Sequence, residues 1–341
     1  MPRLLPTFVV MFAACQAAWA QGTPQDSGVA VRLRGVCAVG EGVAWASGQG
    51  GTVLRTTDGG RTWQLRPAPG EEESDFRDVE AFDDRTAVVL AIGEGERSRI
   101  LRTTDGGETW SRRYVNADAN GFLDALAFSD PRRGLALGDP VDGRFVVLAT
   151  EDGGETWTRR PPDGMPEALP GEGAFAASGT CLAVRGDRAW FGTGGGRVFR
   201  SEDRGRTWTA HPTPLRAGNG SSGVFSLAFR DDDHGVAVGG DYKNPDATGG
   251  LVAATRDGGR TWSAPEGPGP PGYRSAVAFL PAREPPLIAV GPTGVDLSRD
   301  GGASWSKLGD AGFHAVSFAA GAGWAVGEEG RIARFEAEPG R

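Results

Sequence analysis

The chain has 341 residues, among them 55 glycines and 23 prolines, and a formal charge of −8. An acidic balance without a basic stripe excludes a nucleic-acid partner, because phosphate binding needs concentrated Lys and Arg. The glycines sit at turns between short apolar runs, which excludes disorder, and no stretch after the N-terminus reaches the roughly 20 apolar residues of a membrane span.

Taken in chain order, residues 1–20 read as an export signal. Arg3 supplies the positive start, Leu4 to Ala14 the apolar stretch, and Ala18-Trp19-Ala20 a cleavage site before Gln21. The alternative is a lipid anchor at Cys15, since Phe12-Ala13-Ala14-Cys15 is an imperfect lipobox. Either way the protein is expected in the periplasm or outside the cell. Residues 21–27 read as a short linker, 28–336 as a single folded unit, and 337–341 as a tail. The remaining cysteines, Cys37 and Cys181, fall in well-separated segments, so no disulfide is expected.

From residue 28 onward the chain repeats itself. Thr56 to Trp63 reads TTDGGRTW, and five close copies end at Trp110, Trp157, Trp208, Trp262 and Trp305. All six fit Ser/Thr-x-Asp-x-Gly-x-x-Trp, with Asp58, Asp105, Asp152, Asp203, Asp257 and Asp300 lying 43–54 residues apart. Such a period means stacked or radial copies of one supersecondary unit. Each unit has the same order of parts. A first strand ends in an apolar run such as Ala125-Leu126-Ala127-Phe128, and a second closes on Gly, as in Val236-Ala237-Val238-Gly239. A third leads into the repeated motif, and a fourth starts at its Trp. Four short antiparallel strands per repeat describe a β-propeller blade.

Six motifs do not mean six blades. Phe313 to Phe335 supplies three more strands without a motif, and Gly28 to Val31 stands where a missing fourth belongs. The fold expected is all-β: a seven-bladed propeller of four-stranded antiparallel blades, closed by an N-terminal strand. Closure removes the free sheet edges that invite aggregation.

The motif aspartates look like candidates for metal or acid–base chemistry, but each lies on a different blade and they cannot converge. They read as structural: the carboxylate accepts N–H groups of its own turn, the glycines supply positive φ, and the Trp packs between sheets. The other face carries the binding candidates. First-strand starts align as Arg34, Arg77, Leu123, Gly179, Val224, Arg274 and Phe313, followed by Gly35, Asp78, Asp124, Thr180, Phe225, Ser275 and His314. Loops after the second strands add Gln49, Glu94, Asp139, Asp241 and Glu328. The long polar loop from Asp241 brings Tyr242 and Lys243, and Asn219 to Gly223 forms another polar lip. The channel-mouth set is therefore Arg34, Arg77, Asp78, Asp124, Asp139, Asp241, Tyr242, Lys243, Arg274 and His314. Loops on a rigid scaffold are where binding residues gather. No catalytic residue, metal or cofactor is assigned: the three histidines are scattered, and no nucleophile elbow or dinucleotide fingerprint occurs.

The motif is the Asp-box, or BNR repeat. With the export signal and the blade count it resembles the photosystem II stability/assembly factor-like family over about residues 28–336, the TTDGGxTW segments being its most specific part. The resemblance implies a non-enzymatic assembly factor, recognising a protein or envelope partner at the channel-mouth face; a monomer is expected. Sialidases also carry Asp-boxes and give the alternative, a glycosidase or carbohydrate-binding propeller. Arg34, Arg77 and Arg274 share one aligned column, as a carboxylate-binding trio would require, and Tyr273 adjoins Arg274. Against it, the Arg-Ile-Pro motif is absent, there are three tyrosines, and sialidases have six blades.

Overall fold

The structure is a computed structural model that describes residues 22–282 and 286–336. Residues 1–20, read above as an export signal, with Cys15, and residues 337–341, read as a tail, lie outside the described residues. Seven antiparallel sheets follow one another along the chain, and the last is completed from the N-terminus. Blade 1 is built from Leu33–Ala38, Ala44–Gly48, Val53–Thr56 and Gln64–Leu65, and blades 2 to 4 repeat that order. Blade 5 has three strands, its fourth reduced to one bridge between Ala254 and Ser263. Blade 6 again has four. In blade 7, Ala315–Ala319, Ala322–Val326 and Ile332–Glu336 are joined by Thr23–Gln25. The all-β seven-bladed fold is as the repeat implied.

The closing strand is not where the sequence placed it. Thr23–Gln25 pairs with Ile332 to Arg334, so the closure uses part of the presumed linker and not Gly28–Val31. Gln25 explains the choice. Its Oε1 accepts from the indoles of Trp63 in blade 1 (3.0 Å) and Trp324 in blade 7 (3.1 Å), and its Nε2 donates to Gly59 O (2.9 Å). One side chain thereby ties the first and last blades together.

The core lies between blades, as apolar clusters that each draw on two neighbours. Leu33, Leu54, Trp324 and Val326 form one such layer, and Val36 and Trp63 pack against it. A blade buries its faces only against other blades, which is why the ring must close. Both cysteines are free thiols.

The repeated turns hold together identically. In blade 2, Thr103 Oγ1 donates to Asp105 Oδ1 (2.8 Å) and accepts from Gly107 N (3.0 Å). Asp105 Oδ1 also accepts Thr109 N (3.0 Å), and Oδ2 accepts the Thr109 hydroxyl (2.6 Å). The Thr109 hydroxyl and N–H hold the Asp105 carboxyl at about 2, and Asp58 is held at about 2 by the N–H and hydroxyl of Thr62. Gly106 and Gly107 have φ near +83° and +82°, the left-handed region that glycine occupies freely. The tryptophans half-bury or bury between sheets, four of them donating to a glycine carbonyl of their own turn.

Candidate functional site

First strands run toward the repeated turns, so their starts and the loops between second and third strands gather at the opposite end of the channel. A cavity of about 690 Å³ opens there. Six of the ten expected mouth residues line it: Arg34, Arg77, Asp124, Asp139, Tyr242 and His314.

The other four stand elsewhere. Asp78 is buried in the channel wall below, beside a second cavity of about 430 Å³, and its Oδ2 accepts Leu126 N from the next blade (2.6 Å). Asp241 accepts from Asn219 Nδ2 (3.2 Å) and Lys243 N (3.0 Å), and so fastens its own loop. Lys243 is exposed beside the Tyr242 ring. Arg274 is wholly buried and pairs with the equally buried Asp296 at 2.5 Å.

The structure also corrects the column of three arginines. A bulge follows Leu33, Phe76, Leu123 and Val224, and the residue it inserts is Arg34, Arg77, Asp124 or Phe225. Strand register places Thr180, Ser275 and His314 in the same column. Arg274 belongs one step earlier, with Leu33, Phe76, Leu123, Val224 and Phe313, which are core positions. For Arg77 the misalignment came from Phe82. It lies past the last ladder pair of its strand, Ala81–Ala87, whereas Phe128 and Phe229 sit within theirs, opposite Gly134 and Gly235. Aligning on the phenylalanines shifts blade 2 by one residue, and a one-residue slip reverses the face of every side chain.

A segment with no motif proves central to the mouth. The connection from blade 3 to blade 4 passes across the channel between Gly173 and Gly179. Ala174 N donates to Asp139 Oδ1 (2.8 Å), Arg77 Nη1 donates to Ala176 O (2.9 Å), and Ser178 Oγ donates to Ser275 O (2.9 Å). Phe175 stacks on Phe225 with ring centroids 3.8 Å apart. The available signal was length: no other blade-to-blade connection is as long. The lip expected at Asn219 to Gly223 is partly strand, since Ser222 and Gly223 begin the inner strand of blade 5.

The cavity wall is divided electrostatically. Arg32, Arg34 and Arg77 line one part. Arg34 Nη1 bonds His314 Nδ1 (3.1 Å), His314 Nε2 bonds Glu328 Oε1 (2.9 Å), and Arg32 pairs with Glu328 (2.8 Å). Burial, then the neighbouring Arg34 charge, pushes His314 down to about 4, so the ring is neutral at pH 7. Burial, then Arg77, lowers Arg34 to about 10, which leaves it charged. Across the cavity, burial and then Asp139 raise Asp124 well above the carboxylate range, and burial raises Asp139, opposed by the Ala174 N–H. Aromatic faces of Phe122, Phe175, Phe225, Tyr242 and Tyr273 complete the lining.

Comparison with known proteins agrees with this architecture. Residues 78–213 match the family model described as Photosynthesis system II assembly factor YCF48. A YCF48 structure bound to D1 peptide aligns with a TM-score of 0.62 at 18% identity, covering 93% of this chain and 96% of that one. YCF48 from Cyanidioschyzon merolae gives 0.66 at 19%, covering 94% and 100%. An ancestral GH74 enzyme gives 0.64 at 14%, covering 91% of this chain but 45% of its own. At these identities the structural matches speak for the fold. No curated protein sequence matches significantly. No helix among the described residues is long and apolar enough to cross a membrane. The chain is a seven-bladed β-propeller whose residues 78–213 resemble the YCF48 assembly-factor family.

Proposed function

We propose that this propeller is an exported binding scaffold that holds a segment of a protein or other envelope partner in the channel-mouth cavity, without turning it over. The observation that carries the reading is the cavity itself. About 690 Å³ of concave space, lined by arginines, carboxyls and aromatic rings, lies on a ring of blades. That volume falls in the range of sites that enclose a small ligand or a few side chains. The YCF48 structure with a D1 peptide supports a protein segment as the occupant. The glycosidase alternative loses its main sequence support, because Arg274 sits in the core and cannot join Arg34 and Arg77 at a substrate carboxylate.

The test is crosslinking and pull-down from the native envelope with Arg77→Glu and Tyr242→Ala variants. Both should capture the partner far less well than the parent protein. Equal capture by all three would reject the mouth as the site. Hydrolysis of a fluorogenic sialoside by pure protein would revive the enzymatic alternative.

A further inference from the structure

Among the described residues, one arginine at the mouth forms no ion pair. Arg34 makes a single side-chain hydrogen bond among the described residues, from Nη1 to His314 Nδ1, and its Nε is buried without a partner. His314 cannot neutralise it, because Nδ1 must present a lone pair to the guanidinium while Nε2–H points to Glu328. Glu328 is itself engaged by Arg32. The neighbouring Arg77 is already matched by Asp75 (2.8 Å), and it lowers the Arg34 guanidinium more than Asp75 raises it. Buried charges in folded proteins are ordinarily paired, and a guanidinium presents planar donors that suit a carboxylate.

The surface next to this group is aromatic. Tyr273, 5% exposed, lies edge-on to Phe225 with centroids 4.7 Å apart, and Phe225 stacks on Phe175. Tyr242 stands on the rim, 6.2 Å from Phe225 and 47% exposed. A carboxylate at Arg34 would carry its attached group against that surface.

We propose that the mouth cavity receives a ligand carboxylate at Arg34 and an aromatic group against the cluster of Phe175, Phe225, Tyr242 and Tyr273. The ligand class is an aryl-alkyl carboxylate, supplied either by the C-terminal aromatic residue of a peptide or by a free acid. This rests on the mouth being the binding site and names the chemistry it selects.

The test titrates the whole protein by calorimetry at pH 7.5 with three probes: acetyl-Gly-Gly-Phe with a free carboxylate, the same peptide as its C-terminal amide, and 3-phenylpropionate. The free acid should bind more than about tenfold tighter than the amide, the factor expected for a charge-assisted contact. Arg34→Gln should make acid and amide equal, and Arg34→Lys should restore part of the difference. If phenylpropionate competes with the peptide, a free acid suffices; if the peptide acid alone binds, the ligand is a chain terminus. Equal binding of acid and amide to the parent protein, or binding of neither, overturns the proposal, and that comparison does not depend on any variant folding. If envelope capture still falls with Tyr242→Ala while acid and amide stay equal, the mouth reading survives and the carboxylate assignment fails.

Discussion

The buried pair Arg274–Asp296 offers the sharpest test of the packing argument. Arg274 is 0% exposed and Asp296 1% exposed. The guanidinium donates from Nε to Asp296 Oδ2 (2.5 Å), and from Nη1 to Tyr273 O (2.8 Å) and Thr293 Oγ1 (3.0 Å). Asp296 Oδ1 and Arg274 Nη2 lack a hydrogen-bond partner, although Nη2 also lies 2.5 Å from Oδ2. Burial raises the Asp296 carboxyl even against the attraction of Arg274, so desolvation outweighs the pairing. Other blades hold apolar side chains at both positions: Leu33, Phe76, Leu123 and Val224 in the first, and Leu54, Leu101, Leu148 and Phe199 in the second. Arg274→Leu alone should therefore cost about 3–5 kcal/mol, by leaving a buried carboxylate unpaired, and Asp296→Leu a similar amount. The double replacement should return to within about 1 kcal/mol of the parent or exceed it, because it converts blade 6 to the packing of its neighbours. Urea unfolding at pH 7.5, followed by tryptophan fluorescence, reads all four proteins. A double variant as unstable as the sum of the singles would refute the reasoning and show that the two residues contribute independently. For the same reason, charge reversal at Arg274 is no probe of the mouth: it would unfold blade 6.

Three further outcomes follow from individual contacts. Thr103→Val removes one donor and one acceptor from a buried turn and should cost about 1–3 kcal/mol with ligand affinity at the mouth unchanged; a variant that kept its stability but lost binding would make the turns functional. Gln25→Ala strands the Trp63 and Trp324 indoles and should lower stability by about 1–3 kcal/mol, whereas an unchanged urea midpoint would show that Gln25 is not the tie between first and last blades. Burial raises Asp78 to about 7, so the folded state favours the protonated carboxyl: its contribution is complete below the unfolded value near 3.8 and is lost as pH rises through 7. Asp78→Asn should accordingly gain at least about 1 kcal/mol on the parent at pH 8 and nothing at pH 4; a pH-independent difference would contradict the assignment.

The repeat grammar made the fold legible without coordinates, because a local motif with a fixed period determines both the turn and the unit that must be copied around a ring. The six aspartates, assigned to turns from spacing alone, make the bonds that the turn geometry demands. The mouth was only half legible. Arg34, Arg77, Asp124, Asp139, Tyr242 and His314 reach the cavity, while the column of three arginines rested on a one-residue slip at Arg34 and Arg77 that only strand register corrects. Only the length of the connection marked the crossing segment at Ala174 to Ser178, since it is held by contacts to blades 2, 3 and 6 that no local pattern encodes. Closure at Thr23–Gln25 likewise depended on where two tryptophans from opposite ends of the chain meet. The sequence by itself determined the seven blades and the face that bears the turns, through interactions within a few residues of one another. Only the tertiary structure decided which side chains share the cavity and that Arg34 forms no ion pair there among the described residues, because those are sums over several blades brought together around one axis.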